Sequence, residues 1–294
     1  MISILIPVYN YDVVALAKAL SKQCEDEDIV FQILVFDDKS TDEFKEINQI
    51  VSQEFNVSYV ELSENKGRAK IRNRLAKMAQ YDWLLFLDCD SKIISDTYIK
   101  DYINELGQPA IVSGGRVYQG EKPDQKHLTH WSYGTKVESK PASKRSAKPY
   151  ISFHSNNFII HRSLFEQIEF NEEIDGYGYE DLYFAEELKN IKGEIRHIDN
   201  PVLHEGLDDN DAYTAKTENA VSNLAKLNRD GHLTSVKLSQ YYSKRMVNPF
   251  FYLAIFIAKQ LQSRAVKKME EGTENISWIQ LYKLYLYDKN QREG

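Results

Sequence analysis

Four short apolar runs near the amino terminus, at residues 2–6, 31–36, 57–62 and 83–87, alternate with segments at 13–22, 44–55 and 68–79 whose apolar residues recur at helical spacing. Runs this short suit buried strands, and the longer amphipathic segments suit the helices that cover them. The order β-α-β-α-β-α-β requires a mostly parallel sheet with helices on both faces, because parallel neighbours need crossover connections and these are right-handed. In such sheets ligands collect beyond the carboxyl ends of the strands. The chain places Pro7-Val8-Tyr9-Asn10, Asp37-Asp38, Glu64-Asn65-Lys66-Gly67 and Asp88-Cys89-Asp90 there. One sheet edge therefore gathers polar groups from four separate segments.

A length of 294 residues accommodates one large α/β domain with a helical appendage. The formal net charge of -7 sets aside nucleic acid as a partner, since non-specific binding needs a positive field. It also repels phosphorylated ligands, so a site for one requires local cations. Lys66, Arg68, Lys70 and Arg72, clustered around Gly67, provide them. Cations in the first turn of a helix oppose its dipole, which calls for a ligand or an acidic neighbour to explain them. Two cysteines, Cys24 and Cys89, match neither a disulfide framework nor a zinc site. The amino terminus carries no basic segment or long apolar run of the signal-peptide type, and no apolar stretch reaches the ~18 residues of a membrane span. The expectation is a cytoplasmic protein.

Beyond residue 110 shorter strands are expected at 111–117, 158–161 and 195–198, with an aperiodic loop over 120–149 and a helix over 180–189. After Gly206 the pattern is helical to the end, clearest at 212–227. These transitions divide the chain into a domain over 1–206, with halves at 1–110 and 111–206, and a helical extension over 207–294. Residues 249–258 are apolar and flanked by Lys244, Arg245 and Lys259. A helix packed on the catalytic domain is one reading, and an interfacial helix over 244–260 meeting the inner face of a membrane is the other.

Asp88-Cys89-Asp90 follows an apolar strand, so two carboxylates one residue apart emerge at a strand end. Such a pair can share a hard divalent cation and hold it against a diphosphate. In isolation the same triplet is an ordinary solvated turn. Asp37 and Asp38 can accept hydrogen bonds from a ribose or base, while Ser40 or Thr41 caps the next helix.

Together, Ile4-Leu5-Ile6-Pro7-Val8-Tyr9-Asn10, Asp37-Asp38-Lys39-Ser40-Thr41-Asp42, Asn65-Lys66-Gly67 with Arg72-Asn73, and Asp88-Cys89-Asp90 resemble the family-2 glycosyltransferases of GT-A fold, over residues 1–206. The resemblance implies a Rossmann-like mostly parallel sheet with an acceptor-side subregion. It implies that Pro7 and Tyr9 line a nucleoside pocket, Asp38 contacts the base, and Asn65, Gly67 and Arg72 lie near base or phosphates. Asp88 would contact ribose or metal. Asp90 would be the principal ligand of Mn2+ or Mg2+, and His204, after the last strand, a further one. Lys39 departs from the glycine or asparagine often found in the family, which is expected to alter that turn.

Asp175-Gly176-Tyr177-Gly178-Tyr179-Glu180-Asp181 looks like the family's acceptor-side motif. By that likeness Asp181 is the base for an acceptor hydroxyl, and Glu180 holds an acceptor hydroxyl or orients the loop. A purely structural reading, carboxylates favoured in a helix first turn, also fits. Asn156, Asn157, Trp131 and Tyr133 are weaker acceptor-side candidates, and His154, His161 and His197 are read as structural. The resulting expectation is an inverting transferase acting from a nucleotide-diphospho-sugar, UDP first, on a glycan or lipid-linked acceptor in surface-polysaccharide synthesis. The alternatives are a sugar-phosphate nucleotidyltransferase, which usually opens with a glycine-rich basic loop missing here, or a non-catalytic accessory protein that binds a nucleotide sugar.

Overall fold

A computed structural model describes residues 1–107, 110–174, 176–246 and 249–293; Asp175 of the acceptor-side motif lies outside the described residues. The strands are β1 (Ile2–Val8), β2 (Phe31–Asp37), β3 (Val57–Glu61), β4 (Trp83–Leu87), β5 (Ser91–Lys92), β6 (Ala110–Ser113), β7 (Arg116–Val117), β8 (Asn157–His161), β9 (Glu194–His197) and β10 (Val202–His204). Among them run helices α1 (Val14–Asp26), α2 (Asp42–Asn48), α3 (Arg68–Met78), α4 (Tyr98–Asn104), α5 (Leu128–Tyr133), α6 (Ala142–Arg145), α7 (Arg162–Phe165) and α8 (Glu180–Asn190). The remaining helices are α9 (Asn210–Arg229), α10 (Lys237–Ser243), α11 (Phe251–Glu270) and α12 (Ile276–Glu293).

The main sheet has the order β3-β2-β1-β4-β8-β6-β9. β3, β2, β1 and β4 run parallel, as the alternation requires, and β8 alone is antiparallel to its neighbours β4 and β6. Residues alternate between faces along each strand. On β1, Ile2, Ile4, Ile6 and Val8 pack with α1 and α4, while Leu5 joins Leu34, Phe36, Leu84 and Phe86 under α3 and α8. Both faces are covered, which is why these strands read as unbroken apolar runs. The second face is aromatic: Phe86 stacks on Phe158 at 4.8 Å and Phe170 on Phe184 at 4.4 Å.

Where β4 ends, the sheet opens. Leu87 pairs with Asn157, and the Asp88 N–H donates to the Asn156 carbonyl at 3.0 Å. The buried Asn157 amide ties this opening together: it accepts from the hydroxyls of Tyr98 and Tyr102 at 2.8 and 2.6 Å and donates to the carbonyls of Gly115 and Asn200 at 2.8 and 3.0 Å. Asn157→Ala strands these groups, each in a dry environment. It is expected to cost about 3 kcal/mol of stability, read as a lower denaturation midpoint at unchanged slope.

A second sheet, β5-β10-β7, was not foreseen, because strands of two or three residues carry no periodicity. Its register sets His204 opposite Ser91. The 120–149 stretch, expected as an aperiodic loop, contains α5, a π-helical turn at Gly134–Glu138 and α6. Tertiary contacts fix it: the Thr129 hydroxyl donates to the Met269 carbonyl at 2.6 Å, and the Trp131 indole donates to the Gln119 carbonyl at 2.7 Å. Neither Ser40 nor Thr41 caps α2 with its side chain, since the Ser40 hydroxyl accepts the Asn10 N–H at 2.8 Å instead. Lys39 takes the left-handed backbone, φ 66°, that glycine or asparagine favours, so the turn strains the lysine.

The carboxyl-terminal helices have their own core, with Val221, Leu224, Ala265, Met269, Ile279 and Tyr287 buried between α9, α11 and α12. Among the described residues no helix is long and apolar enough to cross a membrane.

Candidate active site

The acidic edge is organised by backbone contacts at the ends of β1 and β2. Asp37 is fully buried and structural: its carboxylate accepts from the Ser40 N–H at 2.6 Å and the Tyr59 hydroxyl at 2.8 Å. Asp38 accepts the N–H groups of Lys66 and Gly67 at 2.6 and 2.9 Å, and Asn65 donates its amide to the Asp38 carbonyl at 3.0 Å. Asp38 and Asn65 thus clamp the loop before α3 onto β2, and each Asp38 carboxylate oxygen has lone-pair capacity for a further donor. Gly67 makes the turn into α3 at φ 80°. Pro7 is half-buried beside this clamp, and Tyr9 stands exposed at the rim.

The cations of α3 have acidic neighbours. Arg72, 2% exposed, pairs closely with Asp88 and donates to the Arg68 carbonyl at 3.1 Å. Arg68 bridges Asp88 at 3.6 Å and Glu180 at 2.7 Å, over the Tyr177 ring. Glu180–Arg68–Asp88–Arg72 is therefore one chain of charges joining α8 to β4. Lys216 of α9 also lies over the Tyr177 ring, 5.2 Å from its centroid. The acceptor-side motif needs its second glycine: a Cβ on Gly178, at φ 99°, would meet Ala220 at 2.5 Å. Tyr179 is left-handed at φ 71° and starts α8.

Asp90 lies across the triplet from Asp88. Its Oδ1 faces His204 Nδ1 at 3.3 Å, and its carbonyl accepts the Glu205 N–H at 2.9 Å. His204 Nε2 is buried without a hydrogen-bond partner and Asp90 Oδ1 is buried with only the His204 imidazole near it, an expensive arrangement unless something else fills the remaining lone pairs. Burial would raise the Asp90 carboxyl, yet the imidazole of His204, with Arg68 and Arg116 beyond it, holds it below the ordinary carboxylate range. Gly206 packs flat against this carboxylate, and a Cβ there would come within 2.5 Å of Asp90 Oδ2. Among the described residues no three His, Cys, Asp or Glu side chains converge as a complete metal cage. A carboxylate plus an imidazole fits a cation that draws its remaining ligands from diphosphate and water, as Mg2+ commonly does.

Asp181 faces His154, whose Nδ1 is 3.4 Å from its Oδ2, and accepts the Leu182 N–H at 2.8 Å. Burial would raise this carboxyl, but His154, the Leu182 N–H and Arg116 together keep it lowered and ionised. His154, read as structural from the sequence, lies against the Asp181 carboxylate, and no local pattern marks that placement. Arg116, 3.5 Å from Glu138, bears on both Asp90 and Asp181. Glu138 also accepts from the Tyr118 hydroxyl, and the Tyr118 ring meets His204 edge-on at 5.2 Å. His161 and His197 hold loops, through Ser163 and the Pro149 carbonyl. Asn156 keeps a buried amide oxygen without a partner, whereas Asn157 is fully used by the fold. Tyr133 sits under Lys283 at 4.1 Å.

A mostly parallel sheet with an acidic carboxyl edge, joined by a small mixed sheet whose β10 carries His204 to Asp90 and faced by the Glu180–Asp181 pair at the start of α8, has the architecture of a GT-A-type nucleotide-sugar transferase fold. A glycosyl transferase family 2 model matches residues 3–169, and the chain belongs to that family. A Haemophilus influenzae protein described as an uncharacterized glycosyltransferase is 36% identical over 92 residues, 31% of this chain and 29% of that protein. A Rickettsia conorii protein of like description is 33% identical over 105 residues, 35% of this chain and 16% of that one. The alignments thus span under a third of either relative. Among solved structures, a mannosyltransferase from Pyrobaculum calidifontis, in complex with GDP-Man and Mn2+, superposes with a TM-score of 0.58 at 14% identity, covering 99% of this chain and 87% of that one. Glucosyl-3-phosphoglycerate synthase from Mycobacterium tuberculosis, in complex with Mn2+, UDP and phosphoglyceric acid, gives 0.53 at 16% identity over 78% of both chains. At such identity these likenesses speak for the fold.

Proposed function

We propose that this chain is an inverting glycosyltransferase that moves a sugar from a nucleotide-diphospho-sugar to a hydroxyl of a glycan or lipid-linked acceptor, assisted by Mn2+ or Mg2+, in cytoplasmic surface-polysaccharide synthesis. The observation that carries the reading is the buried Asp90–His204 pair, whose imidazole Nε2 has no hydrogen-bond partner, set beside the Asp88 charge chain. Asp90 and His204 would hold the cation, which would neutralise charge on the departing diphosphate. Arg72 fixes Asp88 for the ribose, and the clamped 65–67 loop closes the nucleoside side. Asp181 accepts the proton of the acceptor hydroxyl while that oxygen bonds to the anomeric carbon from the face opposite the diphosphate. The carbon–oxygen bond to the diphosphate breaks in the same displacement, so the configuration inverts. Fold relatives are titled with GDP-Man and with UDP, and UDP is the first nucleotide to test.

Titrating UDP with and without Mn2+ is expected to give tighter binding with the metal by about tenfold or more; equal affinities would remove the metal from the reading. Gly206→Ala is expected to raise the Mn2+ concentration for half-maximal activity by roughly tenfold. The added methyl displaces the Asp90 carboxylate without a left-handed backbone position to strain. Proton NMR of the product's anomeric signal checks the stereochemistry, and retention would reject the single displacement.

A further inference from the structure

Helix α11 buries one face and bares the other. Phe251, Ile255, Ala258, Ala265 and Met269 face the core of the carboxyl-terminal helices. Tyr252, Leu253, Phe256 and Ile257 lie in two adjacent i, i+4 rows on the opposite side and are 59%, 54%, 59% and 41% exposed. Four large apolar side chains over two turns form a patch of the kind that marks an interaction surface. Its electrostatic setting departs sharply from the rest of the molecule. Residues 231–269 contain seven of the chain's 37 Lys and Arg and none of its 44 Asp and Glu.

The exposed basic residues frame the patch. Lys244 and Arg245 precede it, and Arg264, two turns after Ile257 along the same helix face, follows it. None of these three has a carboxylate partner among the described residues, and Arg245 and Arg264 lie instead over the Tyr242 and Trp278 rings. Aromatic and aliphatic groups flanked by unpaired cations, on a helix lying flat against its neighbours, match the interface of an anionic bilayer. A second copy fits poorly, because a two-fold contact sets this basic region against itself. The apolar part is too short to span a bilayer, so the helix would lie in the headgroup plane.

We infer that the outer face of α11, with Lys244, Arg245 and Arg264, is a docking surface for anionic phospholipid, separate from the sugar-transfer site. α11 packs on α9, the helix whose Lys216 reaches Tyr177, so docking would anchor the acceptor side of the molecule.

Flotation of the full chain with vesicles of phosphatidylcholine, alone or mixed with phosphatidylglycerol, tests this. The wild-type chain is expected to float with the mixed vesicles and to be released by salt. Leu253→Ser and Phe256→Ser are each expected to weaken binding on the order of tenfold. The Lys244→Gln/Arg245→Gln pair is expected to weaken it about 25-fold. No flotation of the wild type, or flotation unchanged in these variants, overturns the inference. A self-association that Phe256→Ser abolishes while vesicle binding persists overturns it in favour of a second copy. Should Phe256→Ser unfold, the basic pair, whose side chains are both exposed, still decides. UDP binding in solution is expected to be unchanged in all of them, so failure here and failure of the transferase reading are told apart.

Discussion

Asp181→Asn is expected to lower kcat by about 10²–10⁴-fold while the affinity for UDP stays within about twofold, because the carboxylate serves the acceptor proton and not the nucleotide. The geometry makes the test clean. The asparagine keeps the oxygen that accepts the Leu182 N–H and so preserves the start of α8. What it removes is the negative charge facing His154. His154→Ala separates positioning from catalysis in the same assay. Burial alone raises the Asp181 carboxyl, and His154 is the leading influence that lowers it. Without His154 the acid limb of the pH–rate profile is therefore expected to move to higher pH, with kcat recovering as pH rises. A collapse of UDP affinity in Asp181→Asn, or a pH profile untouched by His154→Ala, would reject these roles.

The parallel half was legible because each of its strands is long enough to show an apolar run, and each helix between them long enough to show its spacing. The acidic edge followed from chain direction alone. Arg68 and Arg72 were legible as an electrostatic problem, since basic residues at a helix start require a partner, and Asp88 and Glu180 are that partner. Other parts left no local trace. Strands β5, β7 and β10 are too short for periodicity, yet their pairing is what carries His204 to Asp90. His154, Arg116 and Glu138 come from separate segments whose meeting depends on how the 120–149 stretch folds back. Asn157 shows the limit of reading by residue type. An amide beside a sugar site suits a sugar hydroxyl, but here the fold uses all of it, and only the neighbouring Asn156 keeps a free acceptor. The apolar segment at 249–258 read as a packed helix ahead of an interfacial one, and α11 buries one face of it and leaves the other exposed.

Asp90→Asn is expected to weaken Mn2+ activation by at least about a hundredfold, beyond the usual cost of disturbing groups that merely orient a ligand. Asp88→Asn is expected to behave differently, and the contrast discriminates between the two carboxylates of the triplet. Asp90 faces only the His204 imidazole, whose Nε2 is buried without a partner. Asp88 is already committed to Arg72 and Arg68. Removing its charge leaves the 2%-exposed Arg72 buried without a counter-ion. The larger expected loss for Asp88→Asn is thus in stability, about 3 kcal/mol, with a smaller change in metal dependence. The Asp90→Asn protein is expected to lose less stability than Asp88→Asn in the absence of metal, because Asp90 faces one imidazole whereas Asp88 pairs with two guanidinium groups. Metal activation plotted against melting temperature for the two variants separates the roles. If Asp90→Asn melts early while Asp88→Asn alone loses Mn2+ dependence, the division of labour is reversed, and Asp88 would be the residue that holds the cation.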